Sequence, residues 1–262
     1  MQFKRELELA KTLAIEAGKV ILEIYKTDFD VGYKEDQSPL TLADKAANDV
    51  IIPRLEEEFP GYGILSEESK DDGLRLKKDY CWIVDPLDGT KEFIKKNGEF
   101  TVNIALSYNG ISILGVIYAP VLNELYYAVK DRGAFYEKDS HIEQIHVSER
   151  TEGLRALGSQ SHRSHAFNEL MDAKKEQVES ILAVGSSLKG CMIAKGRAEI
   201  YYRFGLTSEW DTAAQQIIVE EAGGIFKQMD HSEMRYNRVN TLNEKGFYIL
   251  NHTSSGLLGG LI

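Results

Sequence analysis

Apolar side chains recur at alternating steps of three and four over the first segment: Phe3, Leu7, Ala10, Ala14, Ala17, Ile21 and Ile24. That spacing lines one face of an α-helix. A polar stretch, Asp28 to Gln37, follows, and Ser38-Pro39 leads into a second helical pattern from Thr41 to Phe59. Pro53 lies inside it and predicts a kink or a break, because proline lacks the amide proton a helix interior uses. Tyr62–Leu65 and Tyr80–Val84 are short apolar runs of strand type. From Phe100 the period changes. Phe100–Tyr108 and Ile111–Ala119 are strand-like runs joined by Asn109-Gly110, a strong hairpin turn. Leu125–Lys130 predicts a third strand, and Asp131-Arg132-Gly133 a further turn. Residues 100–137 are expected to form an antiparallel meander behind the helices.

The second half alternates differently. Ile181–Val184 predicts a strand ahead of a helix beginning near Ser187. Glu199–Tyr202 is strand-like, and Asp211–Ala222 predicts a helix closed by Gly223-Gly224 as its C-cap. Phe247–Leu250 predicts a last strand, before a Ser/Gly-rich tail expected to fray. No internal repeat interrupts the chain. The two halves, 1–150 and 151–262, are expected to pack as lobes of one body with layers of helix and sheet.

Composition narrows the function. The 262 residues are 43% hydrophobic and 27% charged, an ordinary globular balance. Cys81 and Cys191 sit in apolar stretches without CxxC spacing, which argues against a zinc site and a disulfide framework. The N-terminus has no apolar run of signal-peptide type, and no run approaches the ~18 residues of a membrane span. A cytoplasmic protein is expected, with peripheral contact to a membrane left open. The net charge of −10 disfavours a nucleic-acid polymer as partner. An anionic small molecule would need divalent cations to screen the chain's own carboxylates.

Candidate chemistry lies where elements end. The apolar run to Val84 stops at Asp85-Pro86-Leu87-Asp88-Gly89-Thr90. Two carboxylates at the end of a buried strand suit magnesium, which takes oxygen ligands and keeps several waters. Gly89 lets the backbone bend, so the Leu87 carbonyl could face the same ion. Thr90 is expected to cap a helix over 91–96 and still present its hydroxyl. The same hexapeptide also reads as a plain turn, since Asp-Pro and Asp-Gly are common turn formers. Glu67 follows another short strand and reads equally as part of a solvated acidic loop. Asp211 opens a helix, where an N-cap aspartate is a sufficient account. Asp44 lies in the first turn of the second helix, where the helix dipole alone would favour it. Together these carboxylates offer the ligands of a two-metal site.

Asp85–Thr90 and Trp210-Asp211-Thr212-Ala213-Ala214 resemble the two signatures of the inositol monophosphatase superfamily. Ser38-Pro39-Leu40-Thr41-Leu42-Ala43-Asp44 is similar to a segment of its 3′(2′),5′-bisphosphate nucleotidase branch. Lys91-Glu92-Phe93-Ile94, then Asn97–Leu106, resemble the bacterial type of that branch, as do Gly185–Lys189 and Tyr202–Gly205. The likeness covers nearly the whole chain. It implies a layered α-β-α-β-α sandwich of α+β or α/β class, with an antiparallel sheet in the N-terminal lobe and a mixed sheet in the C-terminal lobe. It also implies a magnesium-dependent, lithium-sensitive phosphatase.

Carried over position by position, the resemblance implies that Glu67, Asp85 and the Leu87 carbonyl hold one magnesium ion, and Asp85, Asp88 and Asp211 a second. Asp44 and Thr90 would orient and deprotonate the attacking water, with Glu67 beside them. A threonine hydroxyl bonded to a carboxylate can take a water proton and pass it on. Gly89, Thr90, Ser186, Lys189, Arg203 and Asp211 would contact substrate. His162 would be a further contact, although His165 echoes it one turn later. The implied reaction is hydrolysis of adenosine 3′,5′-bisphosphate to AMP and phosphate, with the sulfated analogue as a second substrate. The alternatives are an inositol or sugar phosphatase of the same fold, and a nucleotide-binding sensor without catalysis.

Overall fold

The computed structural model describes residues 2–28, 30–33, 39–160 and 165–252. Ser38 and His162 therefore lie outside the described residues, as does the tail from Thr253. The helices are α1 (Lys4–Tyr25), α2 (Leu42–Glu58), α3 (Thr90–Ile94), α4 (His165–Ala173), α5 (Leu188–Ala194) and α6 (Glu209–Glu221). A strand pair, β1 (Val31–Tyr33) and β2 (Pro39–Thr41), links α1 to α2. A seven-stranded sheet follows: β3 (Gly63–Ser66), β4 (Tyr80–Asp88), β5 (Thr101–Tyr108), β6 (Ile111–Ala119), β7 (Glu124–Val129), β8 (Ala134–Lys138) and β9 (His141–Ile145), in that spatial order. A five-stranded sheet has the order β11-β10-β12-β14-β13, from β10 (Leu154–Ser159), β11 (Val178–Val184), β12 (Ile200–Arg203), β13 (Ile225–Gln228) and β14 (Phe247–Leu250).

Alternation along the strands builds the layers. On β4, Trp82 and Val84 join Leu7, Ala14, Ile21, Ala47 and Ile51 of α1 and α2. Their neighbours Cys81 and Ile83 point the other way, into a cluster with Cys191 of α5 and Ile217 of α6. Tyr201 of β12 enters that same cluster, while Ile200 and Tyr202 face Phe167 and Met171 of α4. The order is thus α1/α2, seven-stranded sheet, α5/α6, five-stranded sheet, α4, the five-layered sandwich implied by the resemblance. The strands β4 to β7 are covered on both faces, which is why they read as near-continuous apolar runs rather than clean alternation, whereas the edge strands β9 and β11 are largely exposed.

Several local expectations change. α2 runs through Pro53 without a break. The lost backbone bond costs about 3 kcal/mol. Burial of Ile51, Ile52 and Leu55 on one flank offsets it, at roughly 1.5–3 kcal/mol for each such side chain. The N-terminal sheet is antiparallel except at its edge, where β3 runs parallel to β4. The meander extends beyond three strands into β8 and β9. β10, α4 and β13 were not anticipated, being short and flanked by polar residues. Helix ends shift as well. Gly89, at φ 95°, precedes α3 without a side-chain cap, so Thr90 is its first residue and not its cap. Ser208 is the N-cap of α6, which makes Asp211 the third residue of a capping box.

Gly115 shows how tightly α6 lies on the sheet. A Cβ there would sit 2.6 Å from Ile217 Cγ2 and 2.7 Å from the Ala214 carbonyl oxygen. Gly115→Ala should therefore destabilise the protein by about 1–3 kcal/mol. Urea unfolding should show a lower midpoint with an unchanged m-value.

Candidate active site

The site begins with a slip in register. Asp85 pairs with Asn103 and Asp88 with Thr101, so three steps on β4 oppose two on β5. Strand side chains alternate faces, and a spacing of three would send Asp85 and Asp88 to opposite sides. The extra residue of the bulge returns both to the same side. Pro86 suits it, having no amide proton to leave unpaired. Asp85–Asp88 are therefore the bulged end of a longer strand that does not stop at Val84, and Gly89 then turns the chain into α3 at Thr90.

Elements from both halves of the chain converge on this edge. A cavity of about 310 Å³ is lined by Glu67, Asp85, Leu87, Asp88, Gly89, Thr90, Ser186, Lys189, Arg203 and Asp211, together with Lys91, Glu92, Tyr201, Leu206 and Gln215. Carboxylate oxygens of Asp85, Asp88 and Asp211 all lie within 4.8 Å of one another. Glu67 is half-buried on the same cavity wall but stands outside that three-group cluster. Burial pushes the Asp211 carboxyl up to about 8, and the charges of Asp88 and Glu67 push the same way. An all-oxygen cluster with uncompensated like charge fits a hard divalent cation.

Asp44 and Thr90 meet from 46 residues apart. The Thr90 hydroxyl donates to Asp44 Oδ1 at 3.0 Å. Thr41 pins the other oxygen, its amide donating to Asp44 Oδ2 at 2.7 Å and its hydroxyl at 2.6 Å. The aspartate thus closes the capping box of α2 and orients Thr90 with its second oxygen. Asp211 does the equivalent at α6, accepting from the Ser208 amide.

In the same cavity lining, Lys189 is buried and its ammonium donates to the carbonyls of Val184 and Ser186 at 3.2 and 2.5 Å. Burial pulls its pKa down to about 8, against the opposing charge of Asp88. Arg203 donates through Nη2 to the Leu206 carbonyl at 3.3 Å, while its Nε is buried with no partner among the described residues. Ser186 holds a left-handed conformation, φ 46°. His165 lies on the exposed start of α4, paired with Glu169 at 3.1 Å.

Sequence reasoning missed the residues that hold Asp88. Ser187 donates to Asp88 Oδ2 through its amide and its hydroxyl, each at 2.6 Å. Asn103 adds a bond at 3.2 Å. Gln215 and Thr101 support these two in turn. One pattern pointed to Thr101 and Asn103: two polar residues at a spacing of two inside an apolar strand. Gln215 follows Asp211 by one helical turn.

Two sheets between three helix layers, with aspartates of a strand end and a helix start gathered beside a buried lysine, define the layered α/β phosphatases. The family model of the inositol monophosphatase family matches residues 4–255, and the chain belongs to that family. The chain is 40% identical over 247 residues to the 3′(2′),5′-bisphosphate nucleotidase CysQ of Salmonella typhimurium, covering 93% of this chain and 98% of that one. Against the CysQ of Escherichia coli K12 the identity is 40%, over 90% of this chain and 96% of the relative. Among solved structures, CysQ from Bacteroides thetaiotaomicron superposes with a TM-score of 0.83 at 39% identity, covering 96% of this chain and 99% of that one. An inositol monophosphatase of Thermotoga maritima gives a TM-score of 0.81 at 27% identity, with 98% of each chain covered.

The raised Asp211 pKa has a signed consequence. The folded state binds this proton more tightly than the unfolded chain, whose aspartates titrate near 3.8. Stability from this group is complete below about pH 4 and is lost as pH rises towards 8. In chelator, Asp211→Asn should gain several degrees of melting temperature over the parent across that interval. Excess magnesium should cancel the gain. A difference independent of pH would contradict the assignment.

Proposed function

We propose that this chain is a magnesium-dependent 3′(2′),5′-bisphosphate nucleotidase that hydrolyses the 3′-phosphate of adenosine 3′,5′-bisphosphate, and of its sulfated analogue, to release inorganic phosphate. The observation that carries the reading is that one cavity is lined by both a carboxylate cluster and two cationic side chains. Asp85, Asp88 and Asp211 form the cluster, and the buried Lys189 and the half-buried Arg203 share the lining. A substrate with two phosphates, one for the cations that the carboxylates would hold and one for the lysine and arginine, matches that combination. The relatives at 40% identity carry this activity in their names.

Asp85, Asp88 and Asp211 would hold one magnesium ion, and Glu67, Asp85 and the Leu87 carbonyl another. When bound, magnesium supplies positive charge that neutralises the phosphoryl oxygens. The remaining work belongs to the protein. Thr90 has its proton committed to Asp44, so its lone pairs face a water as acceptors. As that water attacks phosphorus, its proton passes to Thr90, and the Thr90 proton passes to Asp44. A new phosphorus–oxygen bond forms while the bond to the ribose oxygen breaks, and that oxygen takes up a proton from solvent. Ser186, Lys189 and Arg203 grip the second phosphate. The arginine's unpaired Nε leaves a directed donor for it. Gly89 lies in the cavity lining, where a Cβ would meet the Glu99 carbonyl at 3.1 Å and Ser186 Cβ at 3.2 Å.

The test is phosphate release measured side by side on adenosine 3′,5′-bisphosphate and inositol 1-phosphate with magnesium. Faster turnover of the nucleotide is expected. Faster turnover of the inositol ester would overturn the substrate, and tight nucleotide binding without phosphate release would make the chain a sensor. Asp88→Asn should cost on the order of 100-fold or more in kcat/KM, because several kcal/mol of charge stabilisation depend on the cations it holds. Its melting temperature in chelator should not fall in proportion.

A further inference from the structure

Ser187 is buried, has no charge, and sits in a hydrogen-bond arrangement whose short bonds fix where its proton goes. Its hydroxyl oxygen accepts from Asn103 Nδ2 and from Gln215 Nε2, both at 2.9 Å. A serine oxygen has two lone pairs and one proton. With both lone pairs filled, the proton has two acceptors in reach, Asp88 Oδ2 at 2.6 Å and the Asp211 carbonyl at 3.3 Å, and the short bond to the charged carboxylate takes it. The amides around it are equally constrained. The Thr101 hydroxyl donates to Asn103 Oδ1 at 2.9 Å, which turns the Asn103 NH2 towards Ser187 and Asp88. The second Gln215 proton goes to the Asp211 carbonyl at 2.6 Å, which turns that NH2 towards Ser187. Gly190 leaves room for this pose, since a Cβ there would stand 2.5 Å from Gln215 Oε1.

The bonds that this cluster sends to Asp88 all arrive on one oxygen. Oδ2 accepts from the Ser187 amide, the Ser187 hydroxyl and Asn103. Oδ1 carries none of them. We infer that Ser187 is a positioning residue for metal binding: it saturates Asp88 Oδ2 and fixes the carboxylate plane so that Oδ1 alone is presented to a divalent cation. The inference rests on the metal-site reading above and deepens it. It assigns the sequence between β11 and α5, together with α6, the task of orienting a ligand that belongs to β4. A ligand supplied by β4 is thus held jointly by its neighbouring strand and by the start of α5 in the central helix layer.

Partners that orient a ligand typically change metal affinity 10- to 100-fold when removed. The experiment is calorimetric titration of magnesium, and of manganese as a tighter probe, into chelator-stripped protein without substrate. Ser187→Ala should weaken binding by about 10-fold or more. Asn103→Ala should weaken it in the same direction, and the double variant should cost less than the product of the two. Ser187→Thr, which keeps the hydroxyl, should restore much of the affinity. In steady state, the magnesium concentration for half-maximal activity should rise more than kcat falls. If Ser187→Ala and Asn103→Ala lower the melting temperature but bind both ions as the parent does, the residues are structural and the inference is overturned. Should Ser187→Ala fail to fold, the Asn103→Ala titration decides by the same criterion. Because the titration contains no nucleotide, its outcome is independent of which phosphate ester the enzyme prefers.

Discussion

Carboxylate oxygens of Asp85, Asp88 and Asp211 stand within 4.8 Å of one another, and their mutual repulsion is what the surrounding structure has to withstand. At an effective dielectric near 20, each charged pair at that separation opposes assembly by about 3–4 kcal/mol. No single hydrogen bond offsets that, since each contributes about 1 kcal/mol net. Without a cation the relief is protonation, which is the physical content of the raised Asp211 pKa. With a cation the same repulsion becomes affinity. The metal dependence proposed above thus has its physical ground in the geometry of the cluster.

Holding such a cluster requires a rigid frame, and the frame comes from helix and strand ends with two tasks each. Asp44 closes the capping box of α2 and receives the Thr90 hydroxyl. Asp211 closes that of α6 and completes the carboxylate cluster. Satisfying the free amides of a helix start fixes these side chains before any ligand arrives. The bulge in β4 does the same for Asp85 and Asp88, using local backbone irregularity to aim two side chains at one place. The central α5/α6 layer then presses against both sheets, so Ser187 and Gln215 reach a carboxylate of β4.

Much of this was legible along the chain. The α1 face appeared in its spacing of three and four, because a helix surrounded on one side by a sheet must bury that stripe. The hairpin at Asn109-Gly110 and the end of α6 at Gly223-Gly224 followed from residues that accept positive φ, and both hold left-handed glycines. The family signatures indicated the five layers and the partnership of Asp44 with Thr90. Of the kink or break expected at Pro53, the break did not occur, because packing on the flanks of α2 outweighs one lost backbone bond. β10, α4 and β13 escaped notice, since short elements take their stability from neighbours and leave little periodicity of their own.

The sequence by itself determined which groups are the candidates for the chemistry: carboxylates at element ends, a threonine beside them, and a few cations in an acidic chain. It also determined where most elements begin, because caps, turns and periodicity act within a few residues. Only the tertiary structure decided that Asp85 and Asp88 share a face, since the β-bulge is defined by the partner strand and not by β4 alone. Only it separated Glu67 from the three-carboxylate cluster, turned Lys189 onto two backbone carbonyls, and joined Ser187 to Asp88 across 99 residues. Those relations depend on distances between segments far apart in the chain, and a local pattern of residues holds no record of them.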